Sequence, residues 1–226
     1  MGDILVSLVV IAVTAVVVVL IFVLVGRTRS QKLAKLSQMA VERGWKFNQI
    51  KERLSGGFQF QTERWTYSAL SESIGIESEP GSSTIRLTTR WTTSQPTPLS
   101  GFTMMGPRQD VSAAGAFGEM LLQKAFTAFL GEDAARYESI KEFKGDSEHL
   151  FARWMIWTSD PAEVQKILQP ELVRYMEKWT GKKVPVIKLL SDGIRFEFAG
   201  VKLEKPEEIT AIIDMGEVFL KAFDQI

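Results

Sequence analysis

From Ile4 to Val25 the chain carries no charged side chain, and only Ser7 and Thr14 interrupt a run of Val, Ile, Leu, Ala and Phe. A segment apolar on every side has no polar face to turn toward water, so it must be wrapped by protein or by lipid. At about 1.5 Å per residue it would extend about 33 Å as a helix, close to the ~30 Å of a bilayer's hydrocarbon core. A cleaved signal peptide would need a positive start, a shorter apolar stretch and a small-residue cleavage site, and none of these is present. The reading is therefore a retained transmembrane anchor over residues 1–26. Asp3 precedes the run, and Arg27, Arg29, Lys32 and Lys35 follow it. Positive residues stay on the cytoplasmic side, so the C-terminal part is expected in the cytoplasm and the N-terminus outside. The same basic group could also meet anionic lipid headgroups.

The remainder has ordinary globular composition, since the whole chain is 45% hydrophobic and 24% charged with a formal net charge of zero. There are no cysteines, which excludes disulfides, thiol catalysis and Cys-ligated zinc. His149 is the single histidine, so one chain cannot build a multi-histidine metal site or a two-histidine relay. Asp146 and Ser147 lie beside it, but adjacency in sequence is not the geometry of a hydrolase triad. Gly115 to Gly118 lacks the spacing and the lysine of a phosphate-binding loop. No cofactor, metal or nucleic-acid partner is expected, and oligomeric state is not readable.

Periodicity divides the rest. Leu33, Leu36, Met39 and Ala40 recur at helical spacing, predicting a juxtamembrane helix over 27–44 that ends at Gly44, with a globular domain over 45–226. Trp45 starts an extended segment, and Ser55 to Gly57 reads as a turn. Residues 65–70 and 84–92 alternate with period two, Ile85, Leu87, Thr89 and Trp91 sharing one face of the second strand. With a third strand over 101–106 they read as an antiparallel meander. A mostly buried helix is expected over 116–130, a central strand over 150–157, and a possible subdomain boundary over 131–146. Asp160, Pro161 and Glu163 fit a capping box opening a helix, and Pro170 either kinks that helix or opens another. Ser191 to Gly193 predicts a hairpin turn, and a last helix from Pro206 carries Ile209, Ile212, Ile213, Gly216, Phe219, Leu220 and Phe223 on its inner side. The order predicts an α+β fold, a mainly antiparallel sheet with helices packed on one side.

Two constellations carry possible chemistry. Arg86 and Arg90 share a strand face and Arg108 follows the next strand, so the three could hold an anion, or they could be an ordinary wet sheet face. Trp65, Trp91, Trp154 and Trp157 could line a pocket or build the core.

Arg43-Gly-Trp45 beyond the anchor, the Thr89-Arg-Trp91 strand and Ser159-Asp-Pro161 opening a helix resemble uncharacterised prokaryotic single-pass membrane-anchored proteins. That resemblance implies a shared architecture and no activity. The expectation is a membrane-tethered, non-catalytic binding or scaffolding module for a protein partner. The alternatives are a receptor for a small anionic ligand or lipid headgroup, and an enzyme of unrecognised type.

Overall fold

Two periodicities in the sequence, helical through residue 42 and mostly twofold from there to residue 107, divide the computed structural model as well. It describes residues 2–75, 83–93, 95–108, 140–181 and 183–225. The chain forms two compact units, Met1–Phe47 and Asn48–Ile226.

The first unit is one helix, α1 (Gly2–Glu42), which runs through Gly26 without a break. It ends where Gly44 adopts φ 70°, a left-handed conformation that glycine reaches at no steric cost. There Trp45 N donates to Ala40 O at 2.8 Å and closes the last turn. Leu36 and Ala40 are buried, and Leu33 and Met39 are half-buried beside them, as their spacing predicts. The side chains of residues 4–13, 15, 22 and 25 in the expected membrane span lie outside the described residues. Among the described residues no helix is long and apolar enough to cross a membrane.

The second unit is α+β. The strands of the chain are β1 (Lys46–Lys51), β2 (Ser55–Gln61), β3 (Thr66–Gly75), β4 (Ser83–Thr92), β5 (Thr103–Pro107), β6 (Lys141–Phe143), β7 (Trp154–Thr158), β8 (Val186–Leu190) and β9 (Gly193–Ala199). Among the described residues they form one sheet in the order β1-β2-β3-β4-β9-β8-β5-β7-β6. All the pairings from β2 to β6 are antiparallel. The helices are α2 (Glu148–Arg153), α3 (Pro161–Ile167), α4 (Pro170–Glu177) and α5 (Pro206–Phe223).

Register explains the core. Phe60 pairs with Tyr67, Tyr67 with Trp91, Trp91 with Phe196, Phe196 with Ile187, Ile187 with Met105 and Met105 with Ile156. This row crosses seven strands on one face, and every member has 0% exposure. Helix α5 packs on it, with the Phe219 ring 5.3 Å from that of Phe196 in an edge-on contact. Gly216 lets the helix approach, since a Cβ there would overlap the Trp91 ring. Helix α4 lies on the same face, where Met176 O accepts from Trp154 Nε1 at 3.2 Å.

Several expectations are corrected. Ser55 to Gly57 is not a turn but the start of β2, paired with Glu72 to Leu70. Gly57 is there because a Cβ would overlap the Ala69 carbonyl. The strands over 65–106 are not a meander: the β8–β9 hairpin inserts between β4 and β5. Residues 150–157 are not one strand, because Ser147 caps α2 by accepting from Leu150 N, and the chain becomes extended only at Trp154. Asp160 does cap α3, accepting from Ala162 N at 2.9 Å and Glu163 N at 3.2 Å. Glu163 instead holds the loop before β5, accepting from Ser100 N at 2.8 Å and Gly101 N at 3.1 Å. Pro170 opens α4 rather than kinking α3. The expected helix over 116–130 and most of the proposed boundary over 131–146 lie outside the described residues.

Candidate functional site

Because strand side chains alternate, Phe60, Tyr67, Trp91 and Phe196 of the buried row have polar neighbours on the opposite face. Gln59, Ser68, Arg90 and Glu197 form one registered row across β2, β3, β4 and β9. Thr66, Thr92, Arg195 and Lys188 form the next, across β3, β4, β9 and β8. Together with Ile50 and Leu70 at its sides, most of this surface lines an open groove of about 460 Å³. That is the size of a small-molecule site.

The charges are unequally matched. Glu197 is shared between Arg90 Nε and Lys188 Nζ, each at 3.3 Å. Arg195 Nη2 meets Asp192 at 2.7 Å, a carboxylate on the hairpin turn whose side chain is 63% exposed. Exposed pairs of this kind contribute little and exchange readily with other anions.

The sequence-predicted arginines are only partly brought together. Arg86 and Arg90 do lie on one face of β4, with Arg86 opposite Glu72. Arg108 follows β5, which β9 and β8 separate from β4. Its guanidinium donates to Phe151 O at 3.0 Å and lies 3.8 Å from Glu142. Arg195, Lys188 and Glu197 escaped sequence reasoning. Alternation in residues 194–198 turns Arg195 and Glu197 away from Ile194, Phe196 and Phe198, but nothing in it places β9 beside β4.

Three of the four tryptophans, Trp65, Trp91 and Trp154, are core residues, exposed by 3% or less. Trp157 is half-buried on the other face, against a smaller cluster of Phe102, Met104 and Leu190. Ser147 Oγ caps α2 and donates to Glu177 Oε1 at 2.6 Å, so its hydroxyl is committed to structure. His149 is exposed in the first turn of α2. Burial pushes the Tyr67 phenol far above its ordinary range, and its hydroxyl donates to Leu203 O at 3.0 Å. Burial, with Asp214 nearby, also raises Tyr175. The basic residues Arg27, Lys32 and Lys35 lie on α1; the Arg29 side chain lies outside the described residues. Among the described residues no group of three or more His, Asp or Glu side chains is placed to hold a metal.

No protein-family model matches the chain, and no curated protein matches it. Among solved structures it is similar to the mycobacterial trehalose monomycolate transport factor A, TtfA. The likeness covers 86% of this chain and 93% of that one, at 7% identity and a TM-score of 0.44.

Proposed function

We propose that the chain is a membrane-tethered binding module. In this reading the apolar part of α1 sits in a bilayer with the N-terminus outside, and the α+β unit engages a protein partner on the cytoplasmic side. The supporting observation is exposure: the described large apolar side chains between Val16 and Leu24 are 44–60% exposed. Full burial of such a side chain is worth about 1.5–3 kcal/mol, and lipid would restore the part of it that half-exposure to water forgoes. The charge-free run over 4–25 and the cations that follow it, Arg27, Arg29, Lys32 and Lys35, supply the length and the orientation. Binding is favoured over chemistry by what the polar side chains do: Ser147 and Asp160 cap helices, and Glu163 secures a loop.

The test uses the absence of native cysteine. Full-length chain carrying Asp192→Cys should pellet with membranes and resist alkaline carbonate extraction. A membrane-impermeant maleimide should leave it unlabelled in intact cells and react after lysis. Release by carbonate would end the tether reading, and labelling in intact cells would reverse the orientation.

A further inference from the structure

We propose that the groove over β3, β4 and β9 is a binding site for a phosphate ester bearing neighbouring hydroxyls, its phosphate held between Arg90 and Arg195. This goes beyond the tether and does not depend on it.

The cations exceed the acids. Arg90, Arg195 and Lys188 stand around Glu197, which leaves a local excess of two positive charges over the sheet, reduced by one only through Asp192 at the turn. Lys188 and Arg195 are directly opposed in register, Lys188 offset by Glu197 and Arg195 by the exposed Asp192. Lys188 is the less exposed partner, at 15%, and neutralises Glu197 from beneath. Glu197 therefore does not cancel both arginines.

Donors are also unused. Arg90 engages a protein group through Nε, and among the described residues its two terminal nitrogens have no partner. The Thr66, Ser68 and Thr92 hydroxyls and the Gln59 amide likewise form no hydrogen bond to protein among the described residues. Arg90 and Arg195 occupy diagonal positions on adjacent strands, Arg90 facing Glu197 and Arg195 facing Thr92. Diagonal neighbours stand about 7–8 Å apart, within reach of long side chains, so that once an anion draws Arg195 from Asp192 the two guanidinium forks can meet on it. A phosphate group matches the remaining positive charge and offers oxygens to both forks, whereas a carboxylate would satisfy one. The spare hydroxyls and amide then suit a polyol attached to it. Ile50 and Leu70 supply the apolar part of the groove's lining.

Such a group could come from a soluble sugar phosphate or from a phospholipid headgroup. Full-length protein in phosphatidylcholine nanodiscs would be titrated calorimetrically with inorganic phosphate, glucose 6-phosphate and glucose. Glucose 6-phosphate should bind one to one, inorganic phosphate more weakly, and glucose not at all. Arg90→Gln and Arg195→Gln should each weaken binding about tenfold or more, with Arg174→Gln on α4 unchanged. Thr66→Val should weaken glucose 6-phosphate more than phosphate, which reads the hydroxyl contacts even if an arginine variant fails to fold. Repeating the titration in phosphatidylglycerol nanodiscs separates the sources: competition identifies the headgroup, and an unchanged affinity identifies the soluble ester. No saturable binding of either phosphate, or equal binding in both arginine variants, would overturn the site.

Discussion

Arg90 and Trp91 are consecutive on β4 and lead opposite lives. Trp91 has no exposure, with the Phe196 ring 4.8 Å away and Gly216 of α5 against its indole. Arg90 has half its side chain in solvent and shares one carboxylate with a lysine. The same contrast holds along β3, where Tyr67 lies in the core and Ser68 in the groove. The buried face is committed to packing so fully that Trp91 Nε1 has no hydrogen-bond partner among the described residues, a desolvated donor that the packing around it must outweigh. The groove keeps its unused donors in water, where leaving them unpaired costs little. A single sheet thus separates the residues that make it stable from the residues free to evolve contacts.

If that separation is real, the largest effect belongs to the packed face. Trp91→Ala should destabilise the protein by about 3–5 kcal/mol, read as a lower midpoint in chemical denaturation followed by tryptophan fluorescence. A loss below about 1 kcal/mol would show that the row is not the core's centre.

Gly216→Ala is subtler, because the two physical terms oppose. Alanine favours a helix interior by about 1 kcal/mol over glycine. Forcing a methyl into the Trp91 ring costs about 1–3 kcal/mol, and the indole is held on both sides, so overpacking should win and the midpoint fall. A rise would mean that α5 can slide away from the sheet, and that its close approach is not required.

The smallest change is expected in the groove. Ser68→Ala should alter unliganded stability by no more than about 0.5 kcal/mol, as at a surface position with no protein partner. A larger loss would break the comparison by showing that the polar face is also structural.

What was legible in the sequence was local. Alternation over 84–92 correctly turned Thr89 and Trp91 inward, Asp160 was recognisable as a cap, and the inner stripe of α5 followed from its spacing. Reading failed where a residue answers to a distant partner. Gly57 looked like a turn residue because its reason, the Ala69 carbonyl, belongs to another strand. Glu163 looked like a capping partner because Ser100 and Gly101 lie more than sixty residues earlier. Half of the candidate site was visible as Arg90. Arg195 joined it only when the pairing of β4 with β9 was known, and nothing local encodes that pairing.

The position of the β8–β9 hairpin also governs how the molecule can be made. Strands β4 and β5 are close in sequence, yet the sheet between them stays open until residues 186–199 arrive to fill the gap. Helix α5, which must cover Trp91 and Phe196, is synthesised later still. A chain emerging from the ribosome therefore carries two incomplete half-sheets with unpaired inner edges between the completion of β7 and the arrival of the hairpin. Such edges invite pairing with other chains, and closing them requires contacts of long sequence separation, which form slowly. Newly made copies should accordingly depend on chaperones during the interval before the hairpin and α5 appear.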